Sequence, residues 1–257
     1  MKTFKLILLG LVTFLVTAFA LTPVSFVEPH LEKAAPNIVI DNSTGTIWNG
    51  QAANLRIDNL NLGRVKWKVR PLKSLMSLSL VSDFNINGEE LTAEGLAAYG
   101  LDRTIRLTDT TFEADASIAS KFQRNFRLGG SFQGLIQSAE LEPNVFPIID
   151  GVLNWAQGSL TSPLRLDPAN YRADIRSSKD KLTADISASD GPIDLSGLAS
   201  ITNEWVYEAD ILAKAKPGLN PLINNVLRNA AGGSKPSADG SIRINRKGSI
   251  QPIPLYQ

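Results

Sequence analysis

Leu182-Thr183-Ala184-Asp185-Ile186-Ser187-Ala188-Ser189 alternates apolar and polar residues without a break. Successive side chains of an extended chain point to opposite faces, so this stretch reads as a strand with one apolar and one wet face. The same period recurs on both sides of it. Tyr171, Ala173 and Ile175 alternate with Arg172, Asp174 and Arg176, and the pattern continues through Ile193, Leu195, Gly197, Ala199 and Ile201, then Tyr207, Ala209, Ile211 and Ala213, and finally Ile242 and Ile244. Upstream, Val65, Trp67 and Val69 alternate with Arg64, Lys66, Lys68 and Arg70. Turn-forming pieces separate the runs, as in Asn87-Gly88, Ser178-Lys179-Asp180 and Asp190-Gly191. These signals predict a mainly β protein, a curved antiparallel sheet of repeated meanders.

Two segments depart from period two. Leu219, Leu222, Ile223, Val226, Leu227 and Ala230 fall at three- and four-residue spacings, which predicts a packed C-terminal amphipathic helix over Pro221 to Ala231. Asn220 is placed to cap it, Pro221 suits a first turn that needs no donor, and Gly232 can take a left-handed stop. Ala116 to Phe126 is a second helical candidate, through Ile118, Phe122 and Phe126.

The N-terminus carries an uncharged apolar run from Leu6 to Val27, preceded by Lys2 and Lys5. As a helix it would measure about 33 Å, close to the thickness of a bilayer's hydrocarbon core. The expectation is one N-terminal transmembrane helix with its lysines on the cytoplasmic side, which exports the rest of the chain. Ala18-Phe19-Ala20 also fits a signal peptidase site before Leu21, so residues 1–27 read as a membrane anchor or a signal peptide. Residues 28–36 follow as a linker and 37–257 as the exported β-rich domain. Gly45-Thr46-Ile47-Trp48 resembles Gly151-Val152-Leu153-Asn154-Trp155, and Glu94-Gly95-Leu96-Ala97 resembles Ser196-Gly197-Leu198-Ala199, which suggests two related halves, 37–140 and 141–257.

A net charge of +1 gives no concentrated basic excess, so nucleic acid is not an expected partner. The absence of cysteine removes disulfides, thiolate metal sites and cysteine nucleophiles. The single histidine, His30, adjoins the apolar run, where a solvated or interfacial role fits better than an active site. There is no phosphate-binding Gly-x-x-x-x-Gly-Lys, no Gly-x-Ser-x-Gly elbow and no His-Glu-x-x-His. The sequence therefore predicts neither an enzyme nor a cofactor, metal or small-molecule substrate.

Gly45-Thr46-Ile47-Trp48-Asn49-Gly50-Gln51-Ala52, followed by Leu62-Gly63-Arg64-Val65-Lys66-Trp67-Lys68-Val69-Arg70-Pro71, resembles the protein N family of the type II secretion system. The resemblance implies a single-pass inner-membrane protein with a periplasmic domain, an accessory part of the apparatus whose partners are other secretion-apparatus envelope proteins and inner-membrane lipid. Gly45, Trp48, Gly50, Trp67 and Pro71 are the motif residues. A structural role suits them: tryptophans plugging a core from neighbouring strands, glycines in turns or bulges, and a proline ending a strand.

Arg64, Lys66, Lys68 and Arg70 form a basic stripe if Val65, Trp67 and Val69 face inward. It reads as a solvated face, with contact to an acidic partner or to anionic headgroups as the functional alternative. The alternation also resembles envelope proteins of the AsmA type, which implies a β-groove that binds or passes lipid. An outer-membrane barrel fits less well, because the apolar positions are rich in Ala and no aromatic girdles bracket the strands.

Overall fold

The computed structural model describes residues 2–58, 60–122, 127–143, 145–162, 165–188, 190–218, 221–233 and 235–250. The chain divides into two compact units, 1–94 and 95–257.

The first unit opens with helices α1 (Lys2–Ala20) and α2 (Val24–Ala34), then strands β1 (Ile38–Gly45), β2 (Asn49–Ile57) and β3 (Leu60–Val69), helix α3 (Pro71–Ser77) and strand β4 (Ser79–Asn87). β1 pairs with β2, β2 with β3 and β3 with β4, all antiparallel. This is the meander that the alternation predicts. Strand β5 (Leu91–Gly100) carries the chain from the first unit into the second.

The apolar run from Leu6 to Val27 does not form one helix. α1 stops at Ala20, Leu21 and Thr22 make a turn, and Pro23 forms an isolated bridge with Thr46 before α2 begins. Proline lacks the amide that would continue the ladder, so a break falls where the sequence places Pro23. Nineteen residues of α1 span about 28 Å. No helix among the described residues is long and apolar enough to cross a membrane. α2 also occupies most of the segment expected to be a linker, with Pro29 inside it. It is tied to β1 by the Ser43 hydroxyl, which donates to the Glu28 carboxylate at 2.7 Å.

The second unit contains β6 (Ile105–Asp115), a short 3₁₀ turn at Ala116–Ile118, helix α4 (Ala119–Phe122), and strands β7 (Arg127–Leu141), β8 (Ile148–Ser162), β9 (Leu166–Ser177), β10 (Lys181–Ala188), β11 (Ile193–Thr202) and β12 (Val206–Ala215). Helix α5 (Pro221–Ala230) and strand β13 (Ile242–Ser249) complete it. Each strand from β6 to β13 pairs antiparallel with the next in sequence. The Asp115 carboxylate accepts from the Ser117 amide at 2.7 Å and starts the 3₁₀ turn. Of the second helical candidate, Ala116 to Phe122 is helical, and residues 123–126, Phe126 among them, and the Phe122 side chain lie outside the described residues.

Cross-strand register places Phe112, Gly134, Leu153, Ala173, Ile186, Gly197, Ile211 and Ile244 in one row across all eight strands. Paired residues share a face, so this row is the apolar side of the sheet. Every member is only half-buried. Beside it runs an aromatic ladder, Phe132–Trp155–Tyr171, with ring centroids 5.7 and 5.0 Å apart.

α5 covers one end of that face. Its Ile223 and Leu227, 4% and 8% exposed, meet Ile193, Ala213 and Ile242 in the buried cluster of this unit. The helix spans the predicted residues to within one position. Val226 lies off the buried face at 49% exposure, so the apolar stripe is narrower than its spacing implied. Gly232 adopts φ +67°, the predicted left-handed stop, and its amide donates to the Asn229 carbonyl, while the Arg246 guanidinium donates to the carbonyls of Ala230 and Asn229. Leu219 and the Asn220 cap lie outside the described residues.

Of the two pairs of stretches that resemble each other in sequence, Glu94 to Ala97 and Ser196 to Ala199 both lie inside strands, β5 and β11, while the other pair occupies different settings. Gly45 to Trp48 make a hairpin turn, whereas Gly151 to Trp155 lie inside β8.

Candidate functional site

The five motif residues gather at one end of the first unit, around the turn between β1 and β2. Gly45 closes that turn at φ +92°, where a Cβ would lie 2.5 Å from the Asn49 carbonyl oxygen. Only glycine accepts both the conformation and the approach. The Thr46 hydroxyl accepts from the amides of Trp48 and Asn49 at 3.3 and 3.1 Å, which fixes the turn's shape.

Trp48 therefore sits in a turn rather than in a strand. Its indole N–H donates to the Phe19 carbonyl at 2.9 Å, and its ring meets the Phe19 ring edge-on at 4.8 Å. Phe19 belongs to the last turn of α1. The expectation that Trp48 and Trp67 plug a core side by side is corrected: no ring contact joins them among the described residues, and both are half-buried. The turn projects Trp48 toward α1, while Trp67, in β3, extends across Gly50 and donates to the Ile47 carbonyl at 3.2 Å. The carbonyl of Trp48 in turn accepts the Val69 amide at 2.7 Å, and the Thr22 carbonyl accepts the Ile47 amide at 3.1 Å. Pro71 ends β3 and starts α3 at a first-turn position, where its missing amide costs nothing.

Period two in β3 holds throughout the basic stripe. Arg64, Lys66, Lys68 and Arg70 are exposed, Val65 and Trp67 are half-buried, and Val69 is buried. Register carries the polar face sideways: Lys66 lies between Gln51 and Asn85, and Lys68 between Asn49 and Asp83. Arg70 grips Asp83 with two nitrogens at 2.7 and 2.5 Å. These hydrogen bonds, with the positive charges of Arg70, Lys68 and Lys73, hold the Asp83 carboxyl below the ordinary range. Arg64, Lys66 and Lys68 have no ion-pair partner among the described residues.

Three features had no reading in the sequence. The contact of Phe19 with Trp48 joins positions 29 apart and has no local signature. The aromatic ladder needs the register of three strands. The third is α3, whose Leu72, Leu75 and Met76 are among the most exposed side chains of the protein, although their three- and four-residue spacing was there to be read.

A family model of the type II secretion system protein N matches residues 36–245. The chain belongs to that family, and so is a component of a type II secretion apparatus, associated with the cell envelope and working with other proteins of that apparatus. No curated protein and no solved structure matches it significantly.

Proposed function

We propose that this chain is a non-catalytic, inner-membrane-tethered element of the secretion apparatus, with α1 as its single anchor and its β units in the periplasm. The observation that carries the reading is the surface of α1. Ile7, Leu9, Phe14 and Phe19 are each more than three-fifths exposed, an arrangement suited to lipid and unsuited to water. Apolar length counted from Leu6 to Ala20 is short for a full hydrocarbon core, and locally thinned lipid accommodates it. Trp48, hydrogen-bonded to the end of α1, then lies at the interfacial level that tryptophan favours. The exposed stripe Arg64, Lys66 and Lys68 is the surface offered to an acidic partner protein.

Alkaline extraction of membranes and sequencing of the mature N-terminus test the anchor. Retention in the extracted membrane with an intact Lys2 to Ala20 segment is expected. A mature chain beginning at Leu21 and released by mild salt would overturn it.

A second reading is favoured by a specific observation, the half-buried apolar row of the second unit, which meets the cluster under α5 at its Ile244 end. That row suits binding of an acyl chain, as in an AsmA-like groove. Photocrosslinking from Leu153 or Ile211 in intact cells separates the readings: lipid adducts support the groove, and protein adducts support a scaffold.

A further inference from the structure

α3 is amphipathic in the wrong direction for water. Its inward contact is polar: the Ser74 hydroxyl donates to the Arg70 carbonyl and accepts the Val81 amide, both at 2.9 Å. Its outward face is apolar. Leu72, Leu75 and Met76, at helical spacings of three and four, are 79%, 74% and 87% exposed, and Leu78 beside them is 69% exposed. Leu78 is held there in a left-handed conformation, φ 50° and ψ 36°, by its amide's hydrogen bond to Ser74. That conformation is unfavourable for a bulky residue, so the backbone turns a leucine outward at a cost. Leu80, 49% exposed, extends the patch into β4.

The position of this patch says what covers it. Four hydrogen bonds, Trp48 Nε1 to Phe19, the Ile47 amide to Thr22, Trp67 Nε1 to Ile47 and the Val69 amide to Trp48, fasten the end of α1 and the end of β3 to the same hairpin turn, and α3 starts two residues beyond Val69. A bilayer that receives α1 is therefore presented to α3 as well. Charge agrees, since Lys68, Arg70 and Lys73 surround a single carboxylate, Asp83.

The geometry points to α3 as a second, interfacial membrane contact, in which Leu72, Leu75, Met76 and Leu78 enter the acyl boundary of an anionic bilayer while Lys73 stays among its headgroups. This rests on the reading of α1 as an anchor. Such a contact gains apolar burial together with attraction to anionic lipid. It also fixes the orientation of the first unit against the membrane, which one helix alone does not.

The chain has no cysteine, so single positions can be labelled cleanly. Full-length Met76→Cys, Phe14→Cys and Glu89→Cys, each carrying an environment-sensitive nitrobenzoxadiazole dye, are reconstituted in phosphatidylcholine vesicles with or without phosphatidylglycerol, containing lipids spin-labelled at shallow or deep positions. Glu89 is exposed in the turn after β4, at the far end of that strand. The dye at 76 should emit at shorter wavelength and be quenched by shallow spin labels, more strongly with phosphatidylglycerol. The dye at 14 should be quenched by deep labels, and that at 89 by neither. Adding Leu72→Ser, Leu75→Ser and Leu78→Ser should abolish the shift at 76 without changing tryptophan emission, which rules out insertion driven by the dye. Quenching at 14 with none at 76 overturns this inference and leaves the anchor standing, the patch then belonging to a protein partner. Quenching at 76 with none at 14 keeps the α3 contact and overturns the anchor.

Discussion

Trp67 lies across Gly50: the two are Cα partners in the β2–β3 pair, and a Cβ on Gly50 would stand 2.5 Å from Trp67 Cζ2. The glycine is thus the floor on which the indole rests, and the motif's spacing reflects one packing unit made from two strands.

Gly50→Ala should consequently destabilise the first unit by about 1–3 kcal/mol, since the ring must move and the added methyl also crowds the Thr44 and Thr46 carbonyls. Urea denaturation followed by tryptophan emission measures it. Trp67→Phe in the same background should recover part of the loss, because the smaller ring vacates the contested space. No recovery would mean that the carbonyl contacts carry the effect.

In the second unit the sensitive positions lie under α5. Ile223→Ala and Leu227→Ala should each cost about 2–5 kcal/mol, the range for truncating a buried aliphatic side chain. Val226→Ala, on the same helix but half exposed, should cost under about 1 kcal/mol. Thermal melts of the three variants check the order. Equal losses at all three positions would mean that α5 buries a broader face than the one observed.

The basic stripe separates into two parts. Arg64→Glu, Lys66→Glu and Lys68→Glu together should leave the melting temperature nearly unchanged, because isolated exposed charges contribute little. Co-purification with other envelope components should fall, and fall less at high salt, where the wild-type contact is already screened over about 8 Å or less. Arg70→Glu is a different experiment, since it sets two carboxylates against each other at the Asp83 pair and should lower stability by itself. Unchanged co-purification of the triple variant would return the stripe to a solvated face.

Strands were legible because alternation is local: β3 and β9 to β13 sit where their apolar positions put them, and α5 begins and ends beside Pro221 and Gly232. The N-terminal helix was misjudged in extent because hydrophobicity sums over residues without regard to backbone chemistry, and one missing amide at Pro23 outweighed the apolar run to Val27. Trp48 was misplaced for a related reason. Its motif fixes a tight turn, and a turn residue's partner is set by tertiary contact with Phe19, about which no local pattern speaks. Burial was overestimated for the apolar faces as a whole, since alternation tells which residues share a face and not whether anything covers it.

Acid should weaken the protein through its aspartates. Asp83, Asp174 and Asp210 are held below the ordinary carboxylate range chiefly by hydrogen bonds from Arg70, Arg172 and Arg243, and Asp115 by its bonds to Ser117. A group whose folded pKa is depressed binds fewer protons when native than when unfolded. Its stabilisation is complete above the unfolded value of about 3.9 and disappears as pH falls through the lower folded value. The urea midpoint should therefore be flat between about pH 7 and 5 and decline below about pH 4. Asp115 is exposed and the other three side chains are about two-fifths exposed, so solvent screening keeps each contribution small and makes the decline a sum over the set. Asp83→Asn, Asp174→Asn and Asp210→Asn combined should lower the neutral midpoint and flatten the acid limb. A decline that starts between pH 7 and 5, and that the triple variant leaves in place, would assign the acid sensitivity to other groups.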